Sequence, residues 1–489
     1  MKKNKIIGAT LAMSLSLTML AGCGSTQTGA SDAAMGDNAE TNATTSTSAE
    51  ASTSAGTESA SSAATETAEE SSGDTVMVMG AEVPKSNIKG SITVLTNDTG
   101  NEDLFDEYAE KFKEIYPDVE SVEFEGIDDY DNNCKIRLNA GEYPDVLYNP
   151  NLAATEYADY YLPIGDTDTL KDTYLFAERG SYDGKVYMIP AQGDVSGIVY
   201  NKKVFQEAGI EKWPQSVSEF EDDLQAIKDK TDAVPWYSNY NAGWPLNQLK
   251  GNEAVIANDP GYRYRTLPHD SEPFSAGKPN YELYKFLYDV TSKGLIEDNP
   301  VTGDWDKSLQ MLADGDAACM GLGSWAISSI QSLAENPDDI GFMPWPTGTN
   351  TAMTNAGYGF AINKDTKYPD TAKAFIQWFI TESGYAQTKG EVSGLKGDEL
   401  PDNLKDLKEA QTQFMTELPA VKGEEGLTDA LCDESEVGLY TEKFGRRIID
   451  TALGKSTEGF KTYDDICNNM NEAWKAAQKK VFADYGISQ

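Results

Sequence analysis

The chain has 489 residues, with 40 basic against 80 acidic side chains and a formal net charge of −40. That length exceeds one ordinary core and requires two lobes or domains. The charge excludes nucleic acid as a partner, since phosphates demand Lys and Arg, and disfavours lying on anionic lipid. With His269 the single histidine, His-based metal or triad chemistry has no footing, and neither a metal nor another cofactor is expected.

Lys2, Lys3 and Lys5 precede an apolar stretch at 6–20, too short to span a bilayer comfortably. It ends in Leu20-Ala21-Gly22-Cys23. The segment resembles the bacterial lipoprotein signal, which implies cleavage before Cys23 and a lipid on that cysteine. A plain secretory peptide is the alternative. Residues 1–22 are thus read as signal peptide and 23–87 as lipidated cysteine plus tether. From Ser25 to about Val83 the chain is Ser, Thr, Ala, Gly and Glu, which cannot bury enough surface to offset its ordering entropy. Cys134, Cys319, Cys432 and Cys467 are scattered without CxxC spacing, so export permits a disulfide but nothing specifies one.

The fold is expected to begin near Ile88. Ile92-Thr-Val-Leu95 is a strand, followed by the polar loop Asn97-Asp98. Phe105, Tyr108, Phe112 and Ile115 then mark one face of a helix. Val122 and Phe124 alternate with polar residues as a second strand, and a helix over 129–140 ends at Gly141. Pro144-Asp-Val-Leu-Tyr148 is the third strand. Strand, helix, strand, helix, strand is the pattern of a wound parallel sheet, whose ligands sit beyond the strand C-termini. Those ends carry Asn97, Asp98, Glu125 and Asn149.

Asp183-Gly184 is a tight turn, and Val186, Met188 and Val199 belong to brief strands interrupted by Pro190, Gly193 and Gly197. The small, polar link between them, with Gln192 and Asp194, forms a hinge between lobes; the alternative is an ordinary hairpin at a sheet edge. A short helix is expected from Phe205, and Ser216 with Glu219 forms a capping box for another. The loop at 236–245 concentrates aromatics and amides, among them Tyr240 and Trp244. A helix spans 281–294. A further helix from Ser308 precedes the buried strand at 317–322, after which Trp325 opens another helix, a place better suited to a cleft than a core. Ile340-Gly-Phe-Met-Pro-Trp-Pro346 reads as a second crossing. Asn355 to Ile362 is a glycine-bearing strand that includes Tyr358, and helices fill most of the remainder.

Together Gly141-Glu-Tyr-Pro-Asp-Val146, Asp183-Gly-Lys-Val-Tyr-Met-Ile-Pro190, Tyr200-Asn-Lys-Lys-Val-Phe205, Ala313-Asp-Gly-Asp-Ala-Ala-Cys-Met320 with Gly323-Ser-Trp325, and Gly357-Tyr-Gly359 with Lys367-Tyr-Pro-Asp370 resemble family 1 extracellular solute-binding proteins, the lipoprotein components of ABC importers. The resemblance runs from about residue 90 onward; no motif aligns after about 394. It departs at Pro214-Gln-Ser-Val217, where members carry Thr-Trp. It implies an α/β, two-lobed, type II periplasmic-binding-protein fold. Lobe one would comprise 88–191 and 347–393, and lobe two 192–346 and 394–489. The implied ligand is a carbohydrate, captured by closure and delivered to a permease by a monomer without catalysis.

Sugars offer apolar faces to flat aromatics and paired hydroxyls to carboxylates and amides. The stacking candidates are Trp325, Trp244, Tyr240 and Tyr358. The hydrogen-bonding candidates are Asn97, Asp98, Glu125, Asn149, Gln192 and Asp194. Two other readings stay open: a binder of a polyamine or phosphodiester, and a secreted glycosidase with two carboxylates about the bond.

Overall fold

The computed structural model describes residues 74–487. The signal segment, Cys23 and the tether up to residue 73 lie outside the described residues. The fold starts earlier than composition suggests. Thr75–Val78 and Ala81–Pro84 form an antiparallel hairpin whose turn, Met79-Gly80, takes φ values of 47° and 80°. Val78, Met79 and Val83 are buried, and the Gln377 side chain accepts from the Met79 amide and donates to the Met77 carbonyl. Four alternating apolar residues, hidden behind a long Ser/Thr run, suffice to order these two strands.

In the first sheet Gly90–Thr96 lies parallel between Val119–Gly126 and Val146–Tyr148. The helix Glu102–Ile115 buries Phe105, Tyr108 and Phe112 against them, while Ile115, in the last turn, is 47% exposed. Tyr130–Ala140 stops at Gly141 in the left-handed region, φ 72°, where a Cβ would be strained. The sheet is not wholly parallel. Gly359–Asn363 inserts antiparallel beside Val146–Tyr148, and Met188–Pro190 pairs on its other side. Pro369–Thr381 covers it with Ala372, Phe375, Ile376 and Phe379 buried.

The second sheet is built on one strand of ten residues, Gln192–Asn201. It runs straight through Gly193 and Gly197, where the sequence suggested breaks. Glycine serves there to let strands approach: a Cβ on Gly193 would stand 2.2 Å from the Asn355 carbonyl oxygen, and one on Gly197 2.5 Å from that of Met343. Ala317–Gly323, Ile340–Met343, Thr351–Ala356 and Val392–Ser393 all pair antiparallel with this strand. Its last residue, Asn201, caps the helix Lys202–Glu207, which therefore starts before Phe205. The Ser216 hydroxyl accepts the Glu219 amide as expected, but the Glu219 carboxylate bonds the Gln215 amide instead of closing the box.

The chain passes between the sheets three times: through Ala191, through Gly357-Tyr358, and between Tyr385–Lys389 and Val392–Ser393. Residues 340–346 are not a passage. Ile340–Met343 is zipped along Tyr200 and its neighbours inside the second sheet, a long-range register invisible in local pattern. Each sheet has its own core. One draws on Ile92, Phe112 and Phe375, the other on Phe220, Phe286 and Trp474. The last helix, Tyr463–Tyr485, buries Ile466, Met470, Ala477 and Val481, with Ala473 half-buried. Cys134, Cys319, Cys432 and Cys467 are all free thiols. Among the described residues no helix is long and apolar enough to cross a membrane.

Candidate functional site

Trp325 owes its position to two neighbours. The Ser324 hydroxyl accepts the Val195 amide at 2.9 Å, pinning the turn Ser324–Ala326 to the ten-residue strand. Gly323 then leaves a space that no side chain could share. A Cβ there would lie 2.2 Å from Asp194 Oδ2 and 2.5 Å from the Trp325 ring. Indole and carboxylate thus meet at one spot. Two further indoles join them. Trp244 and Trp305 lie with ring centroids 5.8 and 6.2 Å from Trp325 and 4.6 Å from each other. Trp244 is 40% exposed and the other two are half-buried, so the group faces outward.

Trp305 was absent from the sequence-derived set. It is the first residue of the helix Trp305–Asp314, whose cap is Asp304 accepting the Lys307 amide. Starting that helix at Ser308 hid a tryptophan at a helix N-terminus, the same signal that marked Trp325.

Gln192 and Asp194 share one face of the long strand, two residues apart. Burial pushes the Asp194 carboxyl up to about 6, against an opposing hydrogen bond from Asn355 and the charge of Lys250. Burial and the nearby Asp194 raise Glu391, beside the third passage, to about 7, with Lys389 opposing. Gln192 Oε1 and the Tyr148 hydroxyl are buried with no hydrogen-bond partner, an unusual state for buried polar atoms.

The remaining predicted residues divide. Asp98 accepts from Asn101, the Gly100 amide, Tyr385 and Lys389, the last at 3.2 Å. Burial works to raise its carboxyl, but the bonds from Asn101, Gly100 and Lys389 outweigh it and hold the group below the ordinary range. Asn97 is exposed beside it. Asn149 is buried, accepting the Tyr161 hydroxyl, and Tyr358 stacks on Tyr148 at 5.8 Å on the second passage. Glu125 and Tyr240 are engaged by protein partners. Glu125 is held by Arg137 through two bonds of 2.6 and 2.8 Å at an exposed edge. The Tyr240 hydroxyl donates to Asp450 at 2.9 Å and its ring lies under Arg446, because the chain turns at Asn239, φ 56°, towards the helix Glu442–Ala452.

A cavity of about 870 Å³ opens between the two halves. Asn149, Arg179 and Tyr358 line one wall, Arg263 and Tyr264 the other. Its volume suits a ligand of several sugar-sized rings.

The family model for bacterial extracellular solute-binding proteins matches residues 98–386, more than half of the chain. The chain belongs to this family. Among relatives of these solute-binding proteins, the multiple sugar-binding protein of Streptococcus mutans is 26% identical over 293 residues, covering 56% of this chain and 68% of that one. The maltotriose-binding protein of Pyrococcus abyssi is 26% identical over 308 residues, covering 60% and 63%. Among solved structures, a binding protein of an ABC transporter from Bifidobacterium animalis subsp. lactis in complex with mannobiose is 31% identical with a TM-score of 0.67, covering 81% of this chain and 96% of that one. A manno-oligosaccharide-specific solute-binding protein of the same organism, in complex with mannotriose, is 28% identical with a TM-score of 0.68, covering 83% and 99%. The fold of this solute-binding protein is accordingly the two-lobed, type II periplasmic-binding-protein fold.

Proposed function

We propose that this solute-binding protein captures an oligosaccharide in the cleft between its two lobes and presents it to an ABC-transporter permease, without catalysis. The lobes would comprise 75–190 with 358–390, and the remainder to 487, moving about the three passages. The observation that carries the reading is the group of Trp244, Trp305 and Trp325 set against Asp194. Flat apolar faces next to a carboxylate and an unpaired amide oxygen are the complement of a pyranose, apolar on its faces and hydroxylated at its rim. The names of the relatives, sugar binders by title, support the ligand class. The lipoprotein-like segment ending at Cys23 supports attachment at the outer face of the cell membrane.

Closure follows from linkage: a sugar touching both lobes favours the closed form by the contacts absent when open. Micromolar affinity corresponds to about −8 kcal/mol, within reach of several stacked and hydrogen-bonded groups after ordering costs. A thermal-shift panel of manno-, malto- and chito-oligosaccharides tests the reading. A true ligand at a hundred times its Kd adds roughly 2.7 kcal/mol of stability and raises the melting temperature. A panel in which no oligosaccharide stabilises the protein, while a polyamine or phosphodiester does, would replace the reading.

A further inference from the structure

Arginine is scarce in this acidic chain, and most of it is engaged. Arg137 pairs with Glu125, Arg446 with Glu442 and Arg447 with Glu458, while Arg265 Nε donates to the Pro419 carbonyl. Only Arg179 and Arg263 have guanidinium groups without an ion pair or hydrogen bond among the described residues. Both line the 870 Å³ cavity, from opposite walls. With 80 acids for 40 bases, a shortage of carboxylates cannot explain this.

Arg263 is also held in place for contact. It sits on a single π-helical turn, Tyr262–Thr266, a geometry frequent at functional sites. Its guanidinium lies 4.3 Å from the ring of Tyr440 and 5.0 Å from that of Tyr264, and its Nε is buried without a partner. Tyr264 feels the charges of both Arg263 and Arg179. The nearby carboxylates are partly discharged or occupied. Burial pushes Glu253 up to about 8, so it is largely neutral at pH 7. Asp183 is taken by Lys422, and Glu425 accepts the Gly423 amide. Glu178 and Asp429 also line the cavity and Glu417 stands near Arg263, against the two arginines and the half-buried Lys250.

We propose that this cavity is a subsite for a carboxylate on the saccharide, a uronic acid residue, gripped by Arg263 and Arg179 from opposite walls. A guanidinium offers a planar fork that matches a carboxylate in two parallel bonds. Arms from both lobes would make the acid itself a reason to close. This inference rests on the oligosaccharide reading above.

The test is calorimetry with oligosaccharides of galacturonate, mannuronate and glucuronate, each against its carboxyl-reduced neutral counterpart. At least one acidic member should bind tenfold or more tightly than its counterpart, with the advantage falling as salt rises. In Arg263→Gln and Arg179→Gln the acidic member should fall to the affinity of its reduced counterpart in the same folded variant; Arg263→Lys, which keeps charge but not the fork, should retain only part of the advantage. Equal binding of every acidic and reduced pair, no acidic binding, or a preference that survives in the folded double variant would overturn the subsite. Neutral oligosaccharides binding alone would sink the subsite and leave the oligosaccharide reading standing, whereas binding of no saccharide would sink both.

Discussion

Replacing Trp325 by alanine should weaken oligosaccharide binding tenfold or more, on the order of 1.4 kcal/mol, in a protein that remains folded. The ring is half-buried at a turn that Ser324 anchors independently through the Val195 amide, so the fold does not depend on it. What it supplies is a flat face. An aromatic partner contributes about 0.5–1.5 kcal/mol beyond the area it covers, and its loss here also removes the surface packed beside Asp194. Trp244 and Trp305 keep part of the wall, which bounds the loss. Isothermal titration of the variant decides the matter, with the melting temperature as a check on folding. Unchanged affinity in a folded Trp325→Ala protein removes Trp325 from the site.

The second large effect concerns Cys23. A lipoprotein-type signal places a lipid on the cysteine left at the cleaved N-terminus. Each buried CH₂ contributes about 0.8 kcal/mol, so more than one acyl chain holds a protein at a bilayer stably where a single chain does so only marginally. The chain's acidity offers no electrostatic substitute, since it carries −40 at neutral pH. Cys23→Ala should therefore shift nearly all of the processed protein from the detergent phase to the aqueous phase in detergent partitioning. Retention in the detergent phase by a Cys23→Ala protein whose signal has been removed would refute the lipid anchor.

Local pattern made the first half of the fold legible. Phe105, Tyr108 and Phe112 announce their helix by spacing, Gly141 announces its end, and the strand–helix alternation announces the parallel core of the first sheet. The place of Trp325, in the turn that follows a buried strand, was legible for the same reason, because a strand, a glycine and a tryptophan stand in sequence. What failed was information carried between distant segments. Ile340–Met343 looks like a linker because of Pro344 and Pro346, and only its pairing with Ile198–Asn201 makes it part of a sheet. Nothing local to Tyr240 announces that Asp450, far along the chain, accepts its hydroxyl. Glu125 stands at a strand end as ligand-binding carboxylates do, but Arg137 on the next helix claims it. The unpaired state of Arg179 and Arg263 has no local signature at all.

The proposed function requires the domains to close over an intact sugar, and small-angle scattering reads that closure directly. With the tightest oligosaccharide of the panel at saturation, the radius of gyration and maximum dimension should fall, and the sugar recovered afterwards should be unchanged in length. A shape that stays constant at saturation, or recovery of a hydrolysed sugar, would contradict the account.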